Sequence, residues 1–273
     1  MTARLSYRDR LAEAVAERGR LCVGIDPHAS LLEAWGLKDD AASLREFSRR
    51  VVEELGEEAA VFKPQVSFFE RFGSQGFAVL EETMGALRQK GALVLADAKR
   101  GDIGSTMAGY ADAWLGEGSA LEADAVTLSP YLGFESLRPA LDLARERGKG
   151  VYVLALTSNP EGASVQHRGG SESVAKTVID AAAAESRTGG HVGLVIGATT
   201  AGAAAELGID LGAVEGSFLT PGLGAQGATA EDLKRSFGED YRKVLAPSSR
   251  DILKHGAREG GMLERFREVR ASL

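Results

Sequence analysis

Two acids and two bases fall within six residues of the stretch LVLADAKRGDIGST (93–106): Asp97, Lys99, Arg100 and Asp102. Asp97 and Lys99 stand two apart at the end of an apolar run, so on an extended strand they project to the same side. A carboxylate and an ammonium held together in a poorly hydrated space offset each other's desolvation and shift each other's pKa. Lys63, at the end of the preceding apolar run AAVFKP, is placed to interleave with them. A buried ion-pair network without chemistry is the alternative reading. The two readings differ in what the other strand ends should carry.

The elements that must position these residues are short apolar runs alternating with amphipathic stretches. Strands are expected over 20–26, 59–64, 91–98, 124–130, 150–157, 191–199, 215–221 and 242–249. Most are near-continuous apolar runs, the pattern of parallel strands buried on both faces. Between them lie helical patterns. In SLREFSRRVVEELG, Leu44, Phe47, Val51 and Leu55 share one face; in ESLRPALDLARERG, Leu137, Leu141 and Ala144 do, with Pro139 in the first turn. At the N-terminus, Ser6 and Asp9 have capping-box-like spacing, Leu5 is placed to staple onto the first turn, and Gly19 follows the last. About eight βα units predict an α/β fold, a (β/α)8 TIM barrel with an extra N-terminal helix, in one domain over 1–273. A doubly wound open sheet is the alternative. It normally has a glycine-rich turn after its first strand, and GIDPHAS is not one.

A barrel of this kind works at the C-terminal ends of its strands. There the sequence delivers Asp26 and His28, Lys63, Asp97 and Lys99 with Asp102 just beyond, Ser129, then Thr157, Ser158 and Asn159, then Thr199 and Thr200. A salt-bridged surface loop does not predict such clustering. Phosphate sites in barrels recur after strands seven and eight. Here TPGLGAQG offers close backbone approach and Gln226 as a donor, and APSSRDIL places Ser248 and Ser249 at a helix start beside the fork of Arg250. An ordinary N-cap with a salt-bridging arginine is the plainer reading. The glycine-rich stretches 161–173 and 220–232 follow strands, so they are βα loops rather than linkers.

Composition narrows the partners. The net charge of 32 − 39 = −7 argues against a general nucleic-acid surface but leaves room for a basic pocket taking one small anion. The single cysteine, Cys22, allows no internal disulfide and fits a reducing, cytoplasmic compartment. No apolar run approaches the ~18–20 residues of a membrane span. His28, His167, His191 and His255 lack metal-ligand spacing, and His191 starts a strand, at the wrong end for catalysis. Asp26 and His28 would hold a metal beside Asp97 only against the charge of Lys63 and Lys99, so none is expected. P-loop and nucleophile-elbow motifs are absent. The residues alone point to a barrel enzyme acting on a small phosphorylated anion.

With Lys63 upstream, DAKRGDI resembles the D-x-K-x-x-D signature of the orotidine 5′-phosphate decarboxylase family. GIDP, FKPQ, DAKRGDIGST, TSNPEG, PGLGAQG and APSSRDI follow in the family's order, and Arg-Gly before Asp102 is similar to its longer bacterial branch. The resemblance implies conversion of orotidine monophosphate to uridine monophosphate in pyrimidine synthesis. Lys63, Asp97, Lys99 and Asp102 would form the catalytic tetrad, with Lys99 protonating C6 and Asp97 near the substrate carboxylate. Asp26, Lys63 and Thr106 would bind ribose hydroxyls. Ser158 and Gln226 would contact the pyrimidine or bridge it to the phosphate, and Arg250, beside the Ser249 backbone, would bind the phosphate. The Ser-Ser before Arg250 departs from the glycine frequent in shorter relatives. A homodimer is implied, with Asp102 and Thr106 completing the neighbouring site, and neither metal nor organic cofactor. Metal-dependent keto-sugar-phosphate decarboxylases share D-x-K-x-x-D, and a non-catalytic phosphate-ligand receptor could use the same scaffold.

Overall fold

All eight expected strands form, seven within the range read from the sequence and the third running two residues past it to Arg100, and they close on themselves. The computed structural model describes residues 5–224 and 227–273. Its strands are β1 (Leu21–Ile25), β2 (Val61–Pro64), β3 (Leu93–Arg100), β4 (Ala125–Leu128), β5 (Gly150–Leu156), β6 (His191–Ile196), β7 (Phe218–Leu219) and β8 (Val244–Ser248). They pair in sequence order, all parallel, and β8 returns to β1. This is the (β/α)8 barrel; no open sheet edge of the doubly wound alternative is left among these strands.

The helices lie outside, and their apolar stripes face the strands. Leu44, Phe47, Val51 and Leu55 of the helix Ala41–Leu55 are fully buried, as are Leu137, Leu141 and Ala144 around Arg138–Glu146. Among the described residues no helix is long and apolar enough to cross a membrane.

The extra N-terminal helix, Tyr7–Arg18, seals the floor, the end where strands begin. The Ser6 hydroxyl accepts from Asp9 N (3.2 Å) and the N–H of Gly19 closes onto Val15 O (2.9 Å), as the spacing implied. Leu5 does not staple: it is half exposed, and Tyr7 is the residue driven inward. The Tyr7 ring lies edge-on to Tyr152 and His191, and its hydroxyl is 3.3 Å from that of Tyr152, which reaches Ser217 Oγ at 2.6 Å. Gly150 makes room for this plug, since a Cβ there would come within 2.5 Å of the Tyr7 ring. Arg10 pins the helix by pairing with Asp124 and donating to Gly148 O (3.2 Å).

His191 belongs to this floor, with Nε2 3.1 Å from Ser217 Oγ and Nδ1 buried without a partner. Burial, with Arg8 nearby, lowers its pKa from 6.5 to about 3. Between those values the unfolded chain binds a proton that the native state refuses, so stability rises with pH across that window and is lost as pH falls through it. Each pH unit there is worth up to about 1.4 kcal/mol. Urea unfolding at pH 4 and pH 7 should show a larger acid loss for the wild type than for His191→Gln.

Candidate active site

The charged cluster forms where β2 and β3 end, and one carboxylate organises it. Asp97 is nearly buried, and each of its oxygens takes two donors. Oδ2 accepts from Lys63 Nζ at 2.9 Å and, with the amide oriented to donate, from Gln65 Nε2 at 2.7 Å. Oδ1 accepts from Lys99 Nζ at 2.6 Å and the Thr127 hydroxyl at 3.0 Å. Asp26 lies across Lys63, with Oδ1 3.9 Å from Nζ. Burial alone would raise the Asp97 carboxyl, but Lys63 and Lys99 hold it down at about 2. Burial would likewise strip the proton from Lys63; Asp97 and Asp26 reverse that and hold its pKa above the ordinary lysine value. The aspartate is therefore an anion and Lys63 a cation across the physiological range.

Backbone irregularity aims Lys99. The β3–β4 register runs Ala96↔Val126 and then Arg100↔Leu128, so four steps on β3 face two on β4. Lys99 sits in that arch at φ 47°, the one non-glycine left-handed residue among those described. Such a conformation costs roughly 1–2 kcal/mol and persists only when neighbours over-determine it. The next residue supplies part of that restraint. Arg100 pairs with Glu70, donates to Ala98 O at 2.9 Å, and lies 5.8 Å from the ring centroids of both Tyr110 and Trp114. Gly101 follows because the chain there presses onto β4; a Cβ would come within 2.3 Å of Ser129 O.

Lys63, Asp97 and Lys99 open into a cavity of about 850 Å³ at the C-terminal mouth. Its walls are unlike. The β1–β3 side is charged, while Leu154, Val195, Leu219 and Pro247 from β5, β6, β7 and β8 make an apolar face. A flat ring slid between them would lie on hydrocarbon with one edge toward Lys99. Asp26, Ser158, Ser249 and Arg250 also line the cavity. Ser249 precedes the short helix Arg250–Leu253 but makes no side-chain cap, and its hydroxyl, like that of Ser248 and Asp26 Oδ1, is buried without a hydrogen-bond partner. Arg250 is exposed and pairs with no described carboxylate. The plainer reading of this segment, a capping serine with a salt-bridging arginine, therefore does not hold. Ser248 is also not at the helix start; it is the buried last residue of β8.

Two predicted residues stand apart. Asp102 and Thr106 are not among the cavity walls: Asp102 accepts from the N–H of Ile103 (2.7 Å), and Thr106 is exposed in the first turn of the helix Gly104–Leu115. Gln226 lies outside the described residues. Sequence reasoning missed Gln65 and Thr127. Gln65 was detectable in principle, being two residues beyond Lys63 and so on its face; Thr127, inside the apolar run AVTL, gave no signal. His28 caps the cavity edge, its ring centroid 4.2 Å from that of Phe68. Among the described residues no three His, Cys, Asp or Glu side chains converge as a metal site. Lys63 fills the space between Asp26 and Asp97.

A closed parallel barrel with a lysine–aspartate–lysine relay at its catalytic mouth and an arginine across the cavity defines a (β/α)8 enzyme for a small anionic substrate. Residues 19–259 match the model of the orotidine 5′-phosphate decarboxylase / HUMPS family. The chain belongs to that family. It is 56% identical over 252 residues to the orotidine 5′-phosphate decarboxylase of Streptomyces coelicolor, covering 90% of this chain and 89% of that one. Against the Corynebacterium efficiens enzyme of the same name it is 50% identical over 265 residues, covering 94% and 93%. The crystal structure of a putative orotidine 5′-phosphate decarboxylase from Streptomyces avermitilis superposes with a TM-score of 0.91 at 52% identity over 99% of this chain and 97% of that one. The Leishmania donovani OMP decarboxylase gives 0.79 at 33% identity over 98% of each chain.

Proposed function

We propose that the chain decarboxylates orotidine 5′-monophosphate to uridine 5′-monophosphate and CO2, a step of pyrimidine biosynthesis. The observation that carries this reading is the Lys63–Asp97–Lys99 relay facing an apolar slot, in a chain so similar to enzymes of that name. The C6–carboxylate bond breaks, its electron pair stays on C6, and CO2 leaves. Lys99 Nζ stabilises that charge and then gives C6 a proton. Asp97, held ionised, lies beside the departing carboxylate, and the repulsion between them favours its loss. Asp26 and Lys63 take the ribose hydroxyls, Ser158 and Gln226 contact the pyrimidine or bridge it to the phosphate, and Arg250 with the Ser249 backbone takes the phosphate. Phosphate is remote from C6, so its binding energy can hold the base in the reactive position.

The proposed assembly is a homodimer. Asp102 and Thr106 do not line their own cavity, Ile103 between them is 62% exposed, and after β4 Tyr131, at the cavity rim, and Leu132 are 82% and 54% exposed. Exposed apolar side chains on these loops, with two polar residues that their own cavity does not use, are what a second copy would cover, delivering Asp102 and Thr106 to its neighbour's site.

Purified protein should bleach the absorbance of orotidine monophosphate in the presence of EDTA. No turnover by folded protein would sink the reading; chelator-sensitive turnover of a keto-sugar phosphate would favour the metal-dependent alternative. Arg250→Ala should lower kcat/KM by about 100-fold, the size of a lost charge-assisted phosphate contact. Steady-state kinetics measure it, and an unchanged value would remove Arg250 from the phosphate site.

A further inference from the structure

We propose that Thr127 is a positioning residue for the decarboxylation: its hydroxyl couples the backbone of Lys99 to the carboxylate of Asp97 and so aims the ammonium at C6. This rests on the decarboxylase reading above. Thr127 is fully buried on β4, opposite the arch in β3. The register shift takes the Lys99 N–H out of the strand ladder, and Thr127 Oγ1 accepts it at 2.9 Å. The hydroxyl has one proton, and it goes to Asp97 Oδ1 at 3.0 Å, the oxygen that also holds Lys99 Nζ at 2.6 Å. Lys99 is thus gripped at both ends through one ring of contacts: main chain to hydroxyl, hydroxyl to carboxylate, carboxylate to ammonium.

The geometry makes the role specific. A left-handed lysine has its side-chain direction set by the backbone torsion, and nothing in the ladder restrains that torsion here. Thr127 supplies the missing partner. It also fixes the rotation of the Asp97 carboxylate, because Oδ1 faces Thr127 and Lys99 while Oδ2 faces Lys63 and Gln65. Valine has the shape of threonine without the hydroxyl. In Thr127→Val the Lys99 N–H and one Oδ1 lone pair lose their partner while the packing of β4 stays.

Misplacing a reacting group by about 1 Å costs on the order of 100-fold in rate. Thr127→Val should therefore lower kcat about 100-fold, with KM and the affinity for uridine monophosphate within about threefold of wild type. Affinity for 6-hydroxyuridine monophosphate, which carries an oxyanion at C6, should fall in parallel with kcat. Thr127→Ser keeps the hydroxyl and should restore kcat to within about threefold. If the valine variant does not fold, Thr127→Ala, compared with Thr127→Ser at a temperature where both are native by circular dichroism, carries the same test. A valine or alanine variant with wild-type kcat overturns the proposal. So does a serine variant as slow as the valine one, or a loss spread equally over kcat and nucleotide affinity. Lys99→Ala, run alongside, separates the levels. If it is inactive while Thr127→Val is not, only the role of Thr127 falls; if it is fully active, the proton-donor role of Lys99 falls and takes this proposal with it, whereas folded wild-type protein without turnover overturns the decarboxylase reading itself.

Discussion

Lys99→Ala is expected to lower turnover of orotidine monophosphate by on the order of 10⁵-fold, combining lost charge stabilisation at C6 with lost proton delivery. The effect should fall on kcat, because Lys99 meets the carbon that changes during reaction and the phosphate and ribose contacts lie elsewhere in the cavity. Stability should hold or improve. Lys99 is exposed for much of its length and Asp97 keeps Lys63, Gln65 and Thr127, so the carboxylate is not abandoned. Alanine also relieves little of the left-handed strain, since any Cβ meets the same clash. Stopped assays at high enzyme concentration, with circular dichroism on the same sample, measure both. A variant within tenfold of wild type would take the proton-donor role from Lys99.

The second large effect is a rescue. Asp102→Ala alone should be almost inactive, since a carboxylate beside the relay is lost from each site. Mixed with Lys99→Ala under conditions that exchange subunits, it should regain activity. In a mixed dimer one site carries both substitutions and the other carries neither. Random pairing makes half the dimers mixed, so about a quarter of wild-type activity should return. A mixture that stays at the sum of its inactive parents would place Asp102 in its own subunit's site, and an Asp102→Ala parent as active as wild type would remove it from catalysis. Separate homodimers that never exchange would give the same silence, so sedimentation of differently tagged copies must accompany the assay.

Much of this arrangement could be read before any coordinates. Buried parallel strands advertise themselves as apolar runs because both faces meet hydrocarbon, and β1 to β8 followed that pattern. Lys63, Asp97 and Lys99 were legible because two-residue spacing on a strand fixes a common side. What escaped depends on departures from regular geometry. Thr127 matters only because β3 gains two residues against β4, and no period in AVTL announces an arch on the neighbouring strand. Gln65 hid behind Pro64, at a point where the strand was expected to have ended. Tyr7 went unnoticed at the helix start because nothing in the sequence told that its ring would fill the barrel floor against Tyr152 and His191. Asp102 read as part of the same knot as Asp97, but past the close approach at Gly101 it no longer lines the cavity.

The sealed floor also decides how the barrel trades with solvent. Tyr7, Tyr152, His191 and Ser217 stopper the lower end, and the interior above them is packed with Cys22, Val61, Leu95 and their neighbours. Among the described residues, the cavity that reaches Lys63, Asp97 and Lys99 opens at the opposite end. The nucleotide, its decarboxylated counterpart and the released gas must all use one opening, so arrival and departure exclude each other. At saturating substrate the traffic through that doorway competes with chemistry to set the throughput of the barrel.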